Sequence, residues 1–400
     1  MIYMLATDNS ILFGSAPFRL FSGIQNYGLL AIPLFVFVGE LMNSGGITTR
    51  LVKFASVILG HLRGGLAYVN IAANTFLASI LGSANAQVAM MSQVMVPAME
   101  KEGYKRDFSS AVTVSSSLLG PIIPPSLVLI IYGVIASVSI PSLFLAGIIP
   151  GILLAMAFAI LIYIISLREN FPVSKRATLK EIINALFAVI PALSIPMIIL
   201  IGILSGIVTA TEAAAVAAFI ALIIGGFVYR ELKWREIPKL LERTAVNTAI
   251  VTFIVAMASL FSWIMTYERV PNAIGEFMVS ITNNPLLFLL ILNIILLIIG
   301  MFLDGITAMI VLVPILLPVA VDFGIDPVHF GIIISINLTI GLITPPVGTV
   351  LFIASSIAKV KVESLTRAVI PFLLVAIVVL LILTYIPELT LWIPNMFLNG

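Results

Sequence analysis

A chain that repeats its own helix-breaking punctuation inside apolar sequence has few ways to fold. Residues 120–125 read Gly-Pro-Ile-Ile-Pro-Pro and residues 341–346 read Gly-Leu-Ile-Thr-Pro-Pro, both within segments apolar enough to cross a membrane. The step from 120 to 341, 221 residues, also carries Ser83 onto Asp304, Pro97 onto Pro318 and Gly103 onto Gly324 without a gap. The chain is therefore a duplication whose two copies are interrupted at matching places. With 61% hydrophobic and 10% charged residues it has too little charge to cover a soluble globule of 400 residues. Only helices and closed barrels satisfy the backbone in lipid, and the apolar runs are continuous rather than alternating, so the fold class is all-α and polytopic.

With about 20 apolar residues per crossing, full spans are expected near 28–44, 108–138, 143–167, 183–205, 208–230, 246–267, 328–358 and 368–395. Residues 64–99 and 285–321 are apolar too, but each carries a break at its centre: Gly82-Ser83-Ala84-Asn85 in one and Asp304-Gly305 in the other. They are read as re-entrant hairpins with two half-depth limbs; the alternative is one tilted span followed by an amphipathic stretch. Residues 108–138 and 328–358, which hold the proline pairs, are read as discontinuous helices.

Basic residues set the orientation. Arg168, Lys175, Arg176 and Lys180 form one cluster, and Arg230, Lys233, Arg235, Lys239 and Arg243 another; the positive-inside rule puts both in the cytoplasm. Tracing the spans from there, the first hairpin enters from the cytoplasm and the second from outside. The expected organisation is an N-terminal segment at 1–27, a first repeat at 28–167, connecting helices at 168–245 and a second repeat of opposite orientation at 246–395. Inverted repeats with broken helices point to a secondary transporter whose site lies between the halves.

A proline pair in mid-membrane removes two donors and frees carbonyls that lipid cannot satisfy. In such transporters freed carbonyls coordinate a cation, while half-helix N-termini face an anion. The first break offers Ser115, Ser116, Ser117, Gly120, Pro124, Pro125 and Ser126; the second offers Asn337, Thr339, Gly341, Thr344, Pro345 and Pro346, with Thr349 just beyond. These are hard oxygen donors suited to an alkali ion or to hydrogen bonds with an organic anion. Any single Ser or Thr can instead bond back to the preceding turn, and proline can simply kink. Asp304 is the sharpest residue, because no Lys or Arg lies near it in sequence and an unpaired charge in the bilayer costs at least about 2.5 kcal/mol. It is expected to bind sodium with carbonyls near Thr344, and it can cap the second limb at the same time. Glu212 in Thr209-Ala-Thr-Glu212 has the spacing of a capping box and is read as structural.

Several classes are set aside. The chain has no Cys and only two His, His61 and His329, far apart in sequence. No thiolate nucleophile or disulfide framework is available, and no Ser stands with a nearby base, so an enzyme is not expected. There is no nucleic-acid footprint, and no metal other than sodium is expected. Met1–Asn9 lacks the basic and apolar regions of a signal peptide.

The run Leu29-Leu-Ala-Ile-Pro-Leu-Phe35, then Gly39-Glu-Leu-Met-Asn43 with Gly45-Gly46, Gly60-His-Leu-Arg-Gly-Gly65, Val96-Pro-Ala-Met99 with Glu102-Gly-Tyr104, Ser115 to Pro125 and Thr209 to Ala218 together resemble the large membrane subunit of TRAP transporters, the tripartite ATP-independent periplasmic family. The likeness runs from about residue 20 to residue 395. It implies an elevator-type, sodium-coupled importer of organic acids, such as C4-dicarboxylates or sugar acids, in a prokaryotic inner membrane. It also implies two partners, a small four-helix membrane subunit and a periplasmic binding protein that delivers the acid. By position, Ser83, Asn85, Ser116, Gly120 and Pro124 match one sodium site, and Asp304, Gly341, Thr344 and Pro345 the other. Ser115, Ser117, Ser126, Asn337, Thr339 and Thr349 are the candidates for the substrate. Members of the family carry another span ahead of Leu29, so residues 1–27 are expected to be a truncated first span: either the start was assigned too late or a scaffold helix is lacking. The alternative function is a self-sufficient inverted-repeat anion carrier without a binding protein.

Overall fold

In the computed structural model, residues 10–169, 171–173 and 175–398 are described, and among them every regular element is a helix. The reading of Met1–Asn9 lies outside the described residues. The segment ahead of Leu29 contains a helix, α1 (Ser10–Ile24), packed along a much later one. After a single 3-10 turn come α2 (Ala31–Ser44) and α3 (Ile47–Leu59), then the first repeat's core: α4 (Gly65–Leu81), α5 (Ala84–Lys101), α6 (Arg106–Ser116) and α7 (Leu127–Ala136). The long α8 (Ile140–Arg168) closes that half, and α9 (Leu179–Leu204) and α10 (Ala210–Ile223) connect it onward. Then follow α11 (Ile237–Tyr267), against which α1 lies, and α12 (Val270–Ile281). The second core is α13 (Pro285–Phe302), α14 (Gly305–Asp322), α15 (Pro327–Gly341) and α16 (Thr349–Ala358), followed by α17 (Val362–Tyr385) and α18 (Glu388–Leu398).

The duplication is visible element by element, since α5 begins at Ala84 and α14 at Gly305, and α6 begins at Arg106 and α15 at Pro327. Both hairpins turn at the expected breaks by different means. Gly82 ends α4 in the left-handed region at φ 58°, which glycine adopts without strain, whereas α13 ends on an extended Leu303. The second limbs start alike. Ser83 caps α5, accepting from the Ala86 N–H at 3.5 Å, and Asp304 caps α14, accepting from the Ile306 N–H at 3.1 Å.

Residues 108–138 and 328–358 are each two short helices around a non-helical stretch, the discontinuous helices read from the proline pairs. Two expectations change. The hairpin limbs α5, α13 and α14 have 18 residues each, about 27 Å at 1.5 Å per residue, longer than half of a 30 Å hydrocarbon core. The span expected at 368–395 stops at Tyr385 and resumes at Glu388; Pro387 between them cannot continue the backbone ladder. The capping box at Thr209 is present, with the Glu212 carboxylate accepting from the Thr209 N–H at 2.7 Å, and Thr178 with Glu181 forms a second one.

The two cores exchange partners. The half-helix after the first break, α7, packs on α14 of the second hairpin, and the half-helix after the second break, α16, packs on α5 of the first. Tyr132 of α7 donates to the Pro327 carbonyl at 2.5 Å and covers Gly331, where an added Cβ would meet its ring at 2.3 Å. This exchange brings both hairpin tips to one place.

Candidate functional site

The site is built from residues far apart in sequence. Asn85, second residue of α5, donates from Nδ2 to Asp304 Oδ1 at 3.0 Å, and Thr349, first residue of α16, donates to Asn85 Oδ1 at 3.4 Å. Each comes from a helix N-terminus, so the positive ends of α5, α14 and α16 meet around the Asn85–Asp304 contact. Asp304 Oδ2 accepts from its own helix at Ile306, and each carboxylate oxygen keeps a further lone pair. Between the tips lies a cavity of about 20 Å³ lined by Ser83, Asn85, Pro121, Asp304, Ser335 and Thr339 among others. It has room for one water or a small ion.

Behind each tip the packing differs. Gly341 at the second break lies on Gly300 of α13: a Cβ on Gly341 would stand 2.5 Å from the Gly300 backbone. The Gly348 N–H donates to the Met301 carbonyl at 3.1 Å, tying the break to the hairpin. At the first break, Gly120 faces the Gln87 side chain, whose Oε1 would lie 2.4 Å from an added Cβ. Gln87 is fully buried and donates to the Asn74 carbonyl, while its Oε1 has no partner among the described residues. Ser115 and Ser116 are also buried, their hydroxyls without a partner among the same residues. A buried polar oxygen without a partner is costly, so this break presents oxygen atoms available to a cation.

The residues singled out from sequence divide by what they touch. Ser83, Asn85, Asp304, Thr339 and Thr349 gather at or beside the cavity. Ser117 donates to the Val114 carbonyl at 2.7 Å, Ser126 to the Pro121 carbonyl at 2.6 Å and Thr344 to the Ile340 carbonyl at 2.8 Å, all local bonds. Asn337 is held by Asn293 of α13 at 2.8 Å, with its own Oδ1 unpartnered. Pro124 packs toward Gly147 of α8, and Pro345 stays in the break beside Thr344. Sequence reasoning did not single out Gln87, Asn74, Ser335 or Pro121. Asn70 and Asn74, four apart on the apolar α4, were the available signal: Asn74 donates to Asn70 at 2.8 Å and Asn70 to Thr113 of α6 at 2.7 Å.

Comparison with known proteins gives the family. Residues 1–389 match the family model described as the tripartite ATP-independent periplasmic transporter, DctM component. The sialic acid TRAP transporter large permease protein SiaM of Vibrio cholerae is 39% identical over 99% of this chain and 92% of its own length. The C4-dicarboxylate TRAP transporter large permease protein DctM of Pseudomonas aeruginosa is 39% identical over 95% of this chain and 89% of its own. Among solved structures, the YdaH transporter of Alcanivorax borkumensis shares the fold with a TM-score of 0.62 at 13% identity, over 95% of this chain and 88% of that one. Among the described residues eight helices are long and apolar enough to cross a membrane, and with these relatives the protein is a multi-pass protein of the bacterial inner membrane. Paired hairpins, paired broken helices and a match over nearly its whole length make this chain a member of the TRAP transporter large permease family, the DctM component.

Proposed function

We propose that this permease imports an organic acid together with sodium, taking the acid from a periplasmic binding protein and working beside a small membrane subunit. The contact of Asn85 with Asp304, which closes the two hairpin tips over one cavity, carries this reading. Asp304 is an acidic group at a tip where no described Lys or Arg pairs with it, and a sodium ion there balances its charge. The carbonyls around Gly341–Pro345 complete the second ion site; Ser83, Asn85, Ser116, Gly120 and Pro124 supply the first. The acid's carboxylate is held by hydroxyls, amides and the N-termini of α7 and α16 rather than by a cation side chain. C4-dicarboxylates and sialic acid, named for the relatives, set the substrate class to try first.

The repeats have opposite orientation, so each half can take the other's conformation, which exchanges outward-open and inward-open states around one site. The hairpins and broken helices move as one body against the connecting helices in an elevator stroke. The test is uptake of labelled C4-dicarboxylates and sugar acids into liposomes under an imposed sodium gradient, with and without the small subunit and the binding protein. Uptake that needs sodium and the soluble partner is the expected result. Uptake by this chain alone would make it a self-sufficient carrier instead.

A further inference from the structure

Away from the hairpins, α3 and α9 pack side by side and leave a groove of about 480 Å³, within the size range of small-ligand sites. Its walls carry Arg50, Lys53, Lys175 and Arg176 against one carboxylate, Glu181. That carboxylate is engaged in its own capping box, accepting from the Thr178 N–H at 2.7 Å and the Thr178 hydroxyl at 2.9 Å. Arg50 is held in place: it donates to Glu231 at 2.7 Å and its guanidinium lies 3.8 Å from the centre of the Tyr229 ring. Tyr229 in turn donates to the Ala188 carbonyl on α9 at 2.8 Å, so one wall of the groove is preformed. Lys53, Lys175 and Arg176 are exposed and make no ion pair among those of the described residues.

We infer that this groove binds the phosphate group of an anionic phospholipid of the inner leaflet. Two features select a lipid over a free anion. Ser56 and Asn184 add uncharged hydrogen-bonding groups for a headgroup, and Val57, Ala185 and Ala188 put apolar surface in the same walls as the cations. A phosphate that carries glycerol and acyl chains uses both kinds of wall, which inorganic phosphate does not. Basic pockets between membrane helices on the cytoplasmic side are suited to such headgroups, each Lys or Arg contributing about a fivefold gain in affinity.

Native mass spectrometry of the full chain in detergent tests this, with phosphatidylglycerol, phosphatidylcholine or inorganic phosphate added. Wild type is expected to bind the first phosphatidylglycerol on the order of 100-fold tighter than phosphatidylcholine. In the triple variant Lys53→Gln, Lys175→Gln, Arg176→Gln that affinity should fall on the order of 100-fold toward the phosphatidylcholine value. The Lys53→Arg, Lys175→Arg variant should retain it, and thermal midpoints should confirm that both variants are folded. Equal phosphatidylglycerol affinity in wild type and the triple variant would overturn the assignment. So would displacement of the lipid by inorganic phosphate at comparable concentration, which would make the groove a free-anion site.

Discussion

The two hairpins share a backbone plan and differ in chemistry. In the first, Ser83 caps the returning limb and the space behind it is filled by neutral amides and hydroxyls, Gln87, Asn74, Ser115 and Ser116, several of them unpartnered. In the second, Asp304 occupies the same cap, and the space behind it is closed by backbone on backbone at Gly300 and Gly341. The two copies thus share the capped start of the returning limb, while one carries a charge there and the other a polar, imperfectly satisfied interior. A carboxylate attracts a cation from a distance, whereas neutral oxygens bind one only when they are already arranged around it. On the proposed reading the second tip is accordingly the stronger determinant of ion binding.

The largest effect belongs to matched substitutions at the two caps. Asp304→Ala should lower sodium-dependent uptake at least about 100-fold, since even outer-sphere partners of a bound metal cost 10–100-fold. Ser83→Ala should leave uptake within severalfold and cost about 1 kcal/mol as a lost cap. Liposome uptake and thermal unfolding of both variants decide it, and equal losses of uptake would dissolve the distinction. Next come the proline pairs. Replacing Pro345 and Pro346 with Ala restores donors and helix propensity and should weaken sodium affinity by about tenfold, measured from the sodium dependence of uptake. The same change at Pro124 and Pro125 should do less, and unchanged affinity in both would make the breaks mere kinks.

Glycine substitutions probe the packing behind the tips. Gly341→Ala drives a methyl into the Gly300 backbone and should destabilise by about 3 kcal/mol, at the upper end of overpacking costs. Gly120→Ala meets the far end of the Gln87 side chain, which can rotate, and should cost about 1 kcal/mol. Thermal midpoints in detergent measure the difference, and a reversed order would show that the first break is the rigid one. Smallest is Ser117→Ala, which removes a bond to its own helix at Val114 and should change stability by under about 1 kcal/mol with no effect on ion dependence. A marked loss of sodium affinity there would put Ser117 in the site.

Local punctuation made much of this readable in advance. Gly82, Asp304 and the proline pairs end helices wherever they stand, because φ, capping and the missing N–H act within a few residues. The repeat then located the second hairpin from the first. Length and pairing were less legible. The limbs are longer than half-depth, and α3 and α12 lie outside every expected span, because short amphipathic helices lack the continuous apolar run that marks a span. Asn85 was named from its place at the tip, but its bond to Asp304 depends on partner exchange between the repeats, which no local pattern records. Gln87 went unassigned because α5 carries three amides, Asn85, Gln87 and Gln93, and sequence does not show which of them is buried without a full set of partners.

The central claim is that Asp304 holds a sodium ion where the two tips meet, and the most direct measurement is the thermal midpoint of the purified chain titrated with sodium or potassium. A ligand that binds only the folded state raises its stability with concentration. Sodium should raise the midpoint of the wild type well beyond potassium, and Asp304→Ala should abolish that difference. A sodium-specific rise of equal size in both proteins would contradict the claim.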